Sequence, residues 1–188
     1  MYNESMEEIN KLITEKEFAQ AKNELQKIYE KYSQNYEALK LLGLCHINLD
    51  EYNEGKVVFE TVVKYLPEDA SSWFYLANCY DNLEDYLHAK TAYLEVIRLR
   101  KEYIEAYKNL CIVYVKSNEG EKAIELGKQA IELAQDDYSV YYIVGTACMS
   151  LKKFDESVYY LEKAIELEPD FIHAKALKKL IHTKYLKS

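Results

Sequence analysis

Four cysteines and four histidines are the side chains of this 188-residue chain best equipped to hold a metal ion or attack a substrate. A thiolate zinc site or a redox pair needs cysteines two or three residues apart, so that one turn of backbone brings both sulfurs to one centre. Cys45, Cys79, Cys111 and Cys148 stand more than thirty residues apart. Cysteine is also among the side chains most often buried as a small apolar group, and isolation of this kind predicts that role, in a reducing compartment. His46, His88, His173 and His182 build no His-Glu-x-x-His helix, and His46 and His182 fall where aromatic packing is expected. The five glycines are too dispersed to cradle a phosphate. No Gly-x-Ser-x-Gly elbow occurs, and no pair of carboxylates stands out from the polar faces of helices. The chain is therefore expected to be no enzyme and to need neither metal nor cofactor. Its work would be binding.

Composition narrows what it binds. A net charge of −8 and a pI near 5.2 oppose a phosphate backbone, so nucleic acid is not an expected partner. No run approaches a membrane span, and the N-terminus has neither the basic nor the apolar segment of a secretory signal; a cytoplasmic location follows as the default. Hydrophobic residues make up 49% and charged residues 30%, too apolar for disorder. Five glycines and two prolines are too few for the frequent turns of an all-β chain, so long helices with short connections are expected.

Those helices announce themselves by repetition. A shift of 34 residues aligns Gly43, Ala77, Cys111 and Gly145, each preceded by Leu42, Leu76, Leu110 or Val144. Leu39, Trp73, Tyr107 and Tyr141 form a column three residues before those leucines and valine. A second small column runs Ala21, Gly55, Ala89, Ala123 and Ser157, with Phe18, Tyr52, Tyr86, Gly120 and Phe154 three residues ahead of it. Two antiparallel helices approach closely only where side chains are small, so the two small columns should face each other, flanked by aromatics one turn away. Each helix pair would bury its apolar stripe by stacking on the next.

Repeats are predicted at about 2–35, 36–69, 70–103, 104–137 and 138–171, each a helix, a turn and a helix, followed by a capping helix over 172–187 in a single domain of 1–188. Pro67 and Pro169 fall in turns between repeats. Asp50 and Glu51, Glu84 and Asp85, and Asp155 and Glu156 are read as acids at second-helix starts, opposing the helix dipole. Repeat four has Gly120 in the aromatic column and Gly127 mid-helix, which predicts the loosest junction. The last helix carries Lys175, Lys178, Lys179, Lys184 and Lys187 and no acid.

The run Trp73-x2-Leu76-Ala77-x2-Tyr80, then Tyr86-x2-Ala89-x3-Tyr93-x2-Val96, resembles the tetratricopeptide repeat (TPR) signature. Leu39, Leu42, Gly43, Gly55, Phe59 and Pro67 repeat it, as do Tyr141, Val144, Gly145, Phe154, Leu161, Ala164 and Pro169. The resemblance implies an all-α fold: a right-handed α-α superhelical solenoid of about five TPR repeats plus the C-terminal helix. It also implies a concave groove lined by the first helices and commonly filled by a peptide or helix.

Carried over by repeat position, the groove residues are Lys40, Leu44 and Ile47; Phe74 and Asn78; Lys108, Ile112 and Val115; and Tyr142, Thr146 and Met149. Asn3, Met6, Asn10 and Ile13 take these positions in repeat one, and Asn109 is a further candidate. Glu37, Asp81 and Glu105 share these repeat positions and offset Lys40 and Lys108, so the groove is nearly neutral and largely apolar in an acidic chain. It lacks the lysine and arginine spacing of the family's carboxylate clamp: Leu44 stands where asparagine is wanted, and Ser139 and Ile143 replace the basic pair. A protein or peptide partner of apolar or amphipathic character is therefore expected, with Asn78 and Asn109 bonding its backbone. The alternatives are a self-associating scaffold joined through the solenoid ends and the targeting module of a larger assembly.

Overall fold

The 34-residue period reappears in where helices begin. The computed structural model describes residues 2–31 and 35–185, without the side chains of residues 2–4 and 31, so the groove position Asn3 and the basic Lys187 lie outside the described side chains. First helices are α1 (Tyr2–Thr14), α3 (Tyr36–Asn48), α5 (Ala70–Asn82), α7 (Ile104–Lys116), α9 (Tyr138–Ser150) and α11 (Ile172–Lys184). Second helices are α2 (Phe18–Lys31), α4 (Tyr52–Tyr65), α6 (Tyr86–Leu99), α8 (Gly120–Leu133) and α10 (Phe154–Leu167). No strand occurs among the described residues.

The turn inside each repeat follows one rule. Lys16, Asp50, Glu84, Asn118 and Lys152 all hold φ between 58° and 63°. In α3 the amide of Asp50 donates to the Ile47 carbonyl (3.1 Å) and that of Glu51 to the His46 carbonyl (2.9 Å). This paired closure of the last helical turn is the Schellman arrangement, and the same two bonds recur after α1, α5, α7 and α9. Asp50 and Glu84 are thus the left-handed residues that end first helices, not acids in the first turn of second helices. Glu51 does not cap α4 with its side chain; it turns instead to Lys22 and His46. Asp85 does act at a helix start, accepting from the His88 amide.

The two small columns meet as expected. The Ser157 hydroxyl donates to the Gly145 carbonyl (2.7 Å) and the Cys111 thiol to the Ala123 carbonyl (3.4 Å). At Gly43 the approach is closer still, since a Cβ there would sit 2.6 Å from the Phe59 ring. The chain divides into two compact units, residues 1–99 and 100–188. In the first, α1 to α6 pack in chain order around Ile9, Leu25, Leu39 and Val62, then Phe59, Leu76 and Cys79. In the second, α7 to α11 pack likewise around Cys111, Ala123, Val144 and Cys148, then Leu161, Ala164, Ala174 and Ile181.

The loose junction expected in repeat four is not found. Gly120 and Gly127 are buried. A Cβ on Gly127 would lie 2.4 Å from Cγ2 of Val144, and one on Gly120 would lie 2.9 Å from Cγ of Leu151. The glycines admit Val144 of α9 and Leu151 just beyond its end, and Leu151 fills the space the missing aromatic leaves at Gly120.

Candidate docking site

In the first unit the predicted groove residues divide among three local arrangements. Lys40 reaches Asp69 at 3.1 Å and Glu37 at 3.5 Å. Asp69 is the residue preceding α5 and accepts from the Ser72 hydroxyl at 2.7 Å. Burial would push the Asp69 carboxyl up, but the bonds from Ser72 and Lys40 outweigh it and hold it below the usual carboxylate range. Leu44 and Ile47 are half-buried against Phe59, Val63, Leu76 and Cys79, so they belong as much to the packing of α3 on α5 as to a ligand surface. Phe74 lies edge-on to Tyr75 and Tyr93, and Asn78 accepts the Tyr93 hydroxyl. Asn78 thereby braces a buried tyrosine that the sequence reading placed in the repeat signature but not in the groove.

In the second unit, four predicted residues converge. Ile112 and Val115 of α7 and Tyr142 and Thr146 of α9 line one small apolar cleft of about 140 Å³, joined by Lys116 and Ile143. Ile112 is 38% exposed, a large apolar side chain at the edge of a built concavity. The cleft is held from behind: Phe171 packs edge-on to Tyr142 at 5.0 Å, and the Thr146 hydroxyl donates to the Tyr142 carbonyl at 2.9 Å. Lys108 repeats the role of Lys40, reaching Asp137 at 3.1 Å. Asp137 also accepts from the amide and hydroxyl of Ser139. Its carboxyl, raised by burial and lowered more strongly by Ser139 and Lys108, ends below the usual range. Met149 packs in the cluster of Leu161, Ala164, Ala174 and Ile181 instead of lining the cleft. Asn109 is half-buried. Lys116 escaped the sequence reading because it falls one position beyond those carried over from the family, and Ile143 entered it only as an apolar replacement in the carboxylate clamp.

Both groove lysines therefore work inside the fold, each tying a first helix to the aspartate that precedes the next one. The cysteines are buried, and burial pushes their thiols up, to about 11 for Cys45 and Cys148 and about 12 for Cys79 and Cys111. Such thiols stay protonated at neutral pH and make poor nucleophiles or metal ligands. His46, expected to serve packing, is buried but polar in its contact: Nδ1 lies 2.6 Å from Glu51, which also takes the Lys22 ammonium at 2.7 Å. Lys22 and then His46 hold the Glu51 carboxyl below its ordinary value. Among the described residues no three His, Cys, Asp or Glu side chains cluster as a metal site, and no helix is long and apolar enough to cross a membrane.

Comparison with known proteins agrees with this geometry. Two tetratricopeptide repeat models match the sequence, one over residues 12–79 and the other over 70–103 and 138–171, together more than half of the chain. The chain belongs to the tetratricopeptide repeat family. The crystal structure of the TPR protein MamA aligns with 99% of this chain and 96% of its own, with a TM-score of 0.82 and 24% identity. A TPR protein from Parabacteroides merdae aligns with a TM-score of 0.87 at 15% identity, over 97% of this chain and 72% of its own. YrrB, described as a TPR protein with an unusual peptide-binding site, gives 0.80 at 20% identity over 91% and 88%. Among curated proteins, a UDP-N-acetylglucosamine–peptide N-acetylglucosaminyltransferase of Giardia intestinalis is 24% identical over 203 residues, 99% of this chain and 14% of that protein. Sperm-associated antigen 1 of Homo sapiens is 30% identical over 83 residues, 44% of this chain and 9% of that protein. This TPR chain thus spans a small fraction of both curated relatives.

Proposed function

We propose that the chain is a docking scaffold that takes an apolar or amphipathic peptide or helix against its first helices and has no catalytic chemistry of its own. Proteins of the TPR family mediate protein–protein interactions, and the observation that carries the finer reading is the α7–α9 cleft. Ile112, Val115, Tyr142 and Thr146, assigned to a groove by repeat position alone, line one apolar concavity. The chemistry of α7 favours an uncharged contact, because Lys108 already faces Asp137, and in the first unit Lys40 faces Asp69 in the same way. YrrB, of similar fold, is described with a peptide-binding site. A reducing cytoplasm suits the four free thiols.

The test pairs wild type with Phe74→Glu/Ile112→Glu in a pull-down from the source cell, with mass in solution followed in parallel. Loss of capture at unchanged mass supports docking. Loss of self-association instead supports the alternative of a scaffold assembled through its ends. A second reading, the repeat array of a larger enzyme or assembly, draws on the Giardia transferase, whose match takes in 99% of this chain but 14% of that protein.

A further inference from the structure

A larger opening lies on a different side of α9. Between the second helices α8 and α10, a cleft of about 410 Å³ is lined by Tyr141, Tyr159, Tyr160, Lys128, Lys163 and Glu132. Its volume falls in the range of small-ligand sites. The rings are set: the Tyr141 hydroxyl donates to the Gln135 carbonyl at 3.1 Å, and Tyr159 meets Tyr160 edge-on at 5.2 Å. Tyr159 is nevertheless 55% exposed. Among the described residues Lys163 pairs with Glu166 alone, one turn along its own helix at 2.6 Å, the kind of surface pair that holds little energy. Among the described residues, no carboxylate pairs with Lys128.

Repeat packing does not require the two lysines or the Tyr159–Tyr160 pair. Two repeats earlier, the positions of Lys128, Lys163, Tyr159 and Tyr160 are held by Glu60, Glu95, Thr91 and Ala92, in helices that form equally well. The charge is reversed and the Tyr159–Tyr160 pair is absent there, while Trp73 keeps the aromatic position of Tyr141. In a chain of net charge −8, two lysines stand among three tyrosine rings, Lys128 unpaired among the described residues and Lys163 held only by the surface pair with Glu166, with Glu132 beside them; lysine-flanked exposed rings have the composition of an interface anchor.

We propose that the α8–α10 cleft is a second docking site, separate from the groove, that takes an acidic segment of a partner protein. A carboxylate side chain sits with the Lys128 and Lys163 ammoniums, and a neighbouring aromatic or aliphatic residue packs on Tyr159 and Tyr160. Charge decides between anions. The site has two lysines, with Glu132 in its wall and Glu166 on Lys163, and no arginine fork for a phosphate, so a carboxylate held by single ammonium contacts is the anion that fits.

Calorimetry with an acetylated, amidated Glu-Phe-Asp-Glu-Phe-Asp peptide, its Gln-Phe-Asn-Gln-Phe-Asn isostere and inorganic phosphate tests this. The acidic peptide binds, and its affinity falls several-fold between about 50 and 300 mM salt. The isostere, and the acidic peptide on Lys128→Gln/Lys163→Gln, bind at least about tenfold more weakly. Lys128→Arg/Lys163→Arg retains binding and Ile112→Glu leaves it unchanged, with circular dichroism confirming that every variant is helical. The proposal is overturned by no binding of the acidic peptide at millimolar concentration, by equal binding of the isostere or of the glutamine variant, by loss in Ile112→Glu, or by displacement of the peptide by phosphate.

Discussion

Each repeat closes its inner turn on one side chain held at positive φ, and none of the five is glycine: Lys16, Asp50, Glu84, Asn118 and Lys152. A left-handed L-residue costs about 1–2 kcal/mol, against the roughly 0.5–1 kcal/mol of extra chain entropy that glycine loses on folding. Glu84→Gly is therefore expected to be neutral to about 1 kcal/mol stabilising in urea denaturation, and Glu84→Val to destabilise. Equal losses in both would mean that the Glu84 side chain, not its backbone, holds the turn. Only Asp50 and Asn118 are of residue types that favour this conformation, which is why the turns could not be read from residue identity. The cysteines were legible, because a small side chain in a fixed column has one sensible place. With thiols pushed up to about 11 or 12 by burial, native protein treated with iodoacetamide at neutral pH should label at none of the four at a rate above that of unfolding. Mass spectrometry of the denatured chain should show all four modified. Fast native alkylation of Cys79 or Cys111 would contradict the buried assignment.

At the scale of elements, two devices join one helix pair to the next. The first is steric. An alanine in a helix interior is ordinarily about 1 kcal/mol better than glycine, but at Gly127 the added Cβ meets Val144 at 2.4 Å. Val144 is fully buried and stiff at χ1, so Gly127→Ala is expected to cost about 1–3 kcal/mol. Val144→Ala in the same chain should recover part of that loss, and an additive double mutant would refute the contact. Amide exchange across 120–134 is correspondingly expected to be as slow as across 86–100. The second device is electrostatic. Lys40 with Asp69 and Lys108 with Asp137 each fix the start of the following first helix. Both carboxyls titrate below their ordinary value, so the stability they contribute is present above the unfolded carboxylate pKa of about 3.9. It is lost as pH falls through the lower folded values. Melting temperature should therefore drop as pH is lowered from about 5 towards 2. Asp137→Asn, which can still accept the Ser139 amide bond, should flatten that dependence. An unchanged slope in this variant would remove Asp137 from the account.

Across the whole molecule, legibility follows locality. Helix positions were readable because the 34-residue columns record contacts that every repeat makes in the same way. The groove was readable only in part, because its occupancy depends on what differs between repeats. Asp69 and Asp137 engage its lysines, Tyr93 takes Asn78, and Met149 sinks into the packing beneath α11. The α7–α9 residues, by contrast, converge on a cleft. The same nearest-neighbour logic predicts how the array fails. Helix α11 covers α10 with Ala174 and Ile181, both fully buried, while Lys178 pairs with Glu162 at 2.5 Å. At the repeat positions that face a second helix in complete repeats, α11 carries Lys175, Lys178, Lys179 and His182, side chains suited to water. Ile181→Ala is expected to cost about 2–5 kcal/mol. Removal of 171–188 should cost more, because it also takes Phe171 from Tyr138 and Tyr142. In a stack bound by neighbour contacts, amide protection should fall most in α9 and α10 and stay unchanged in α3 to α6, while dye binding reports the bared Leu161 and Ala164. A uniform loss of protection along the chain would show instead that the repeats unfold as one unit, with α11 acting on all of them at once.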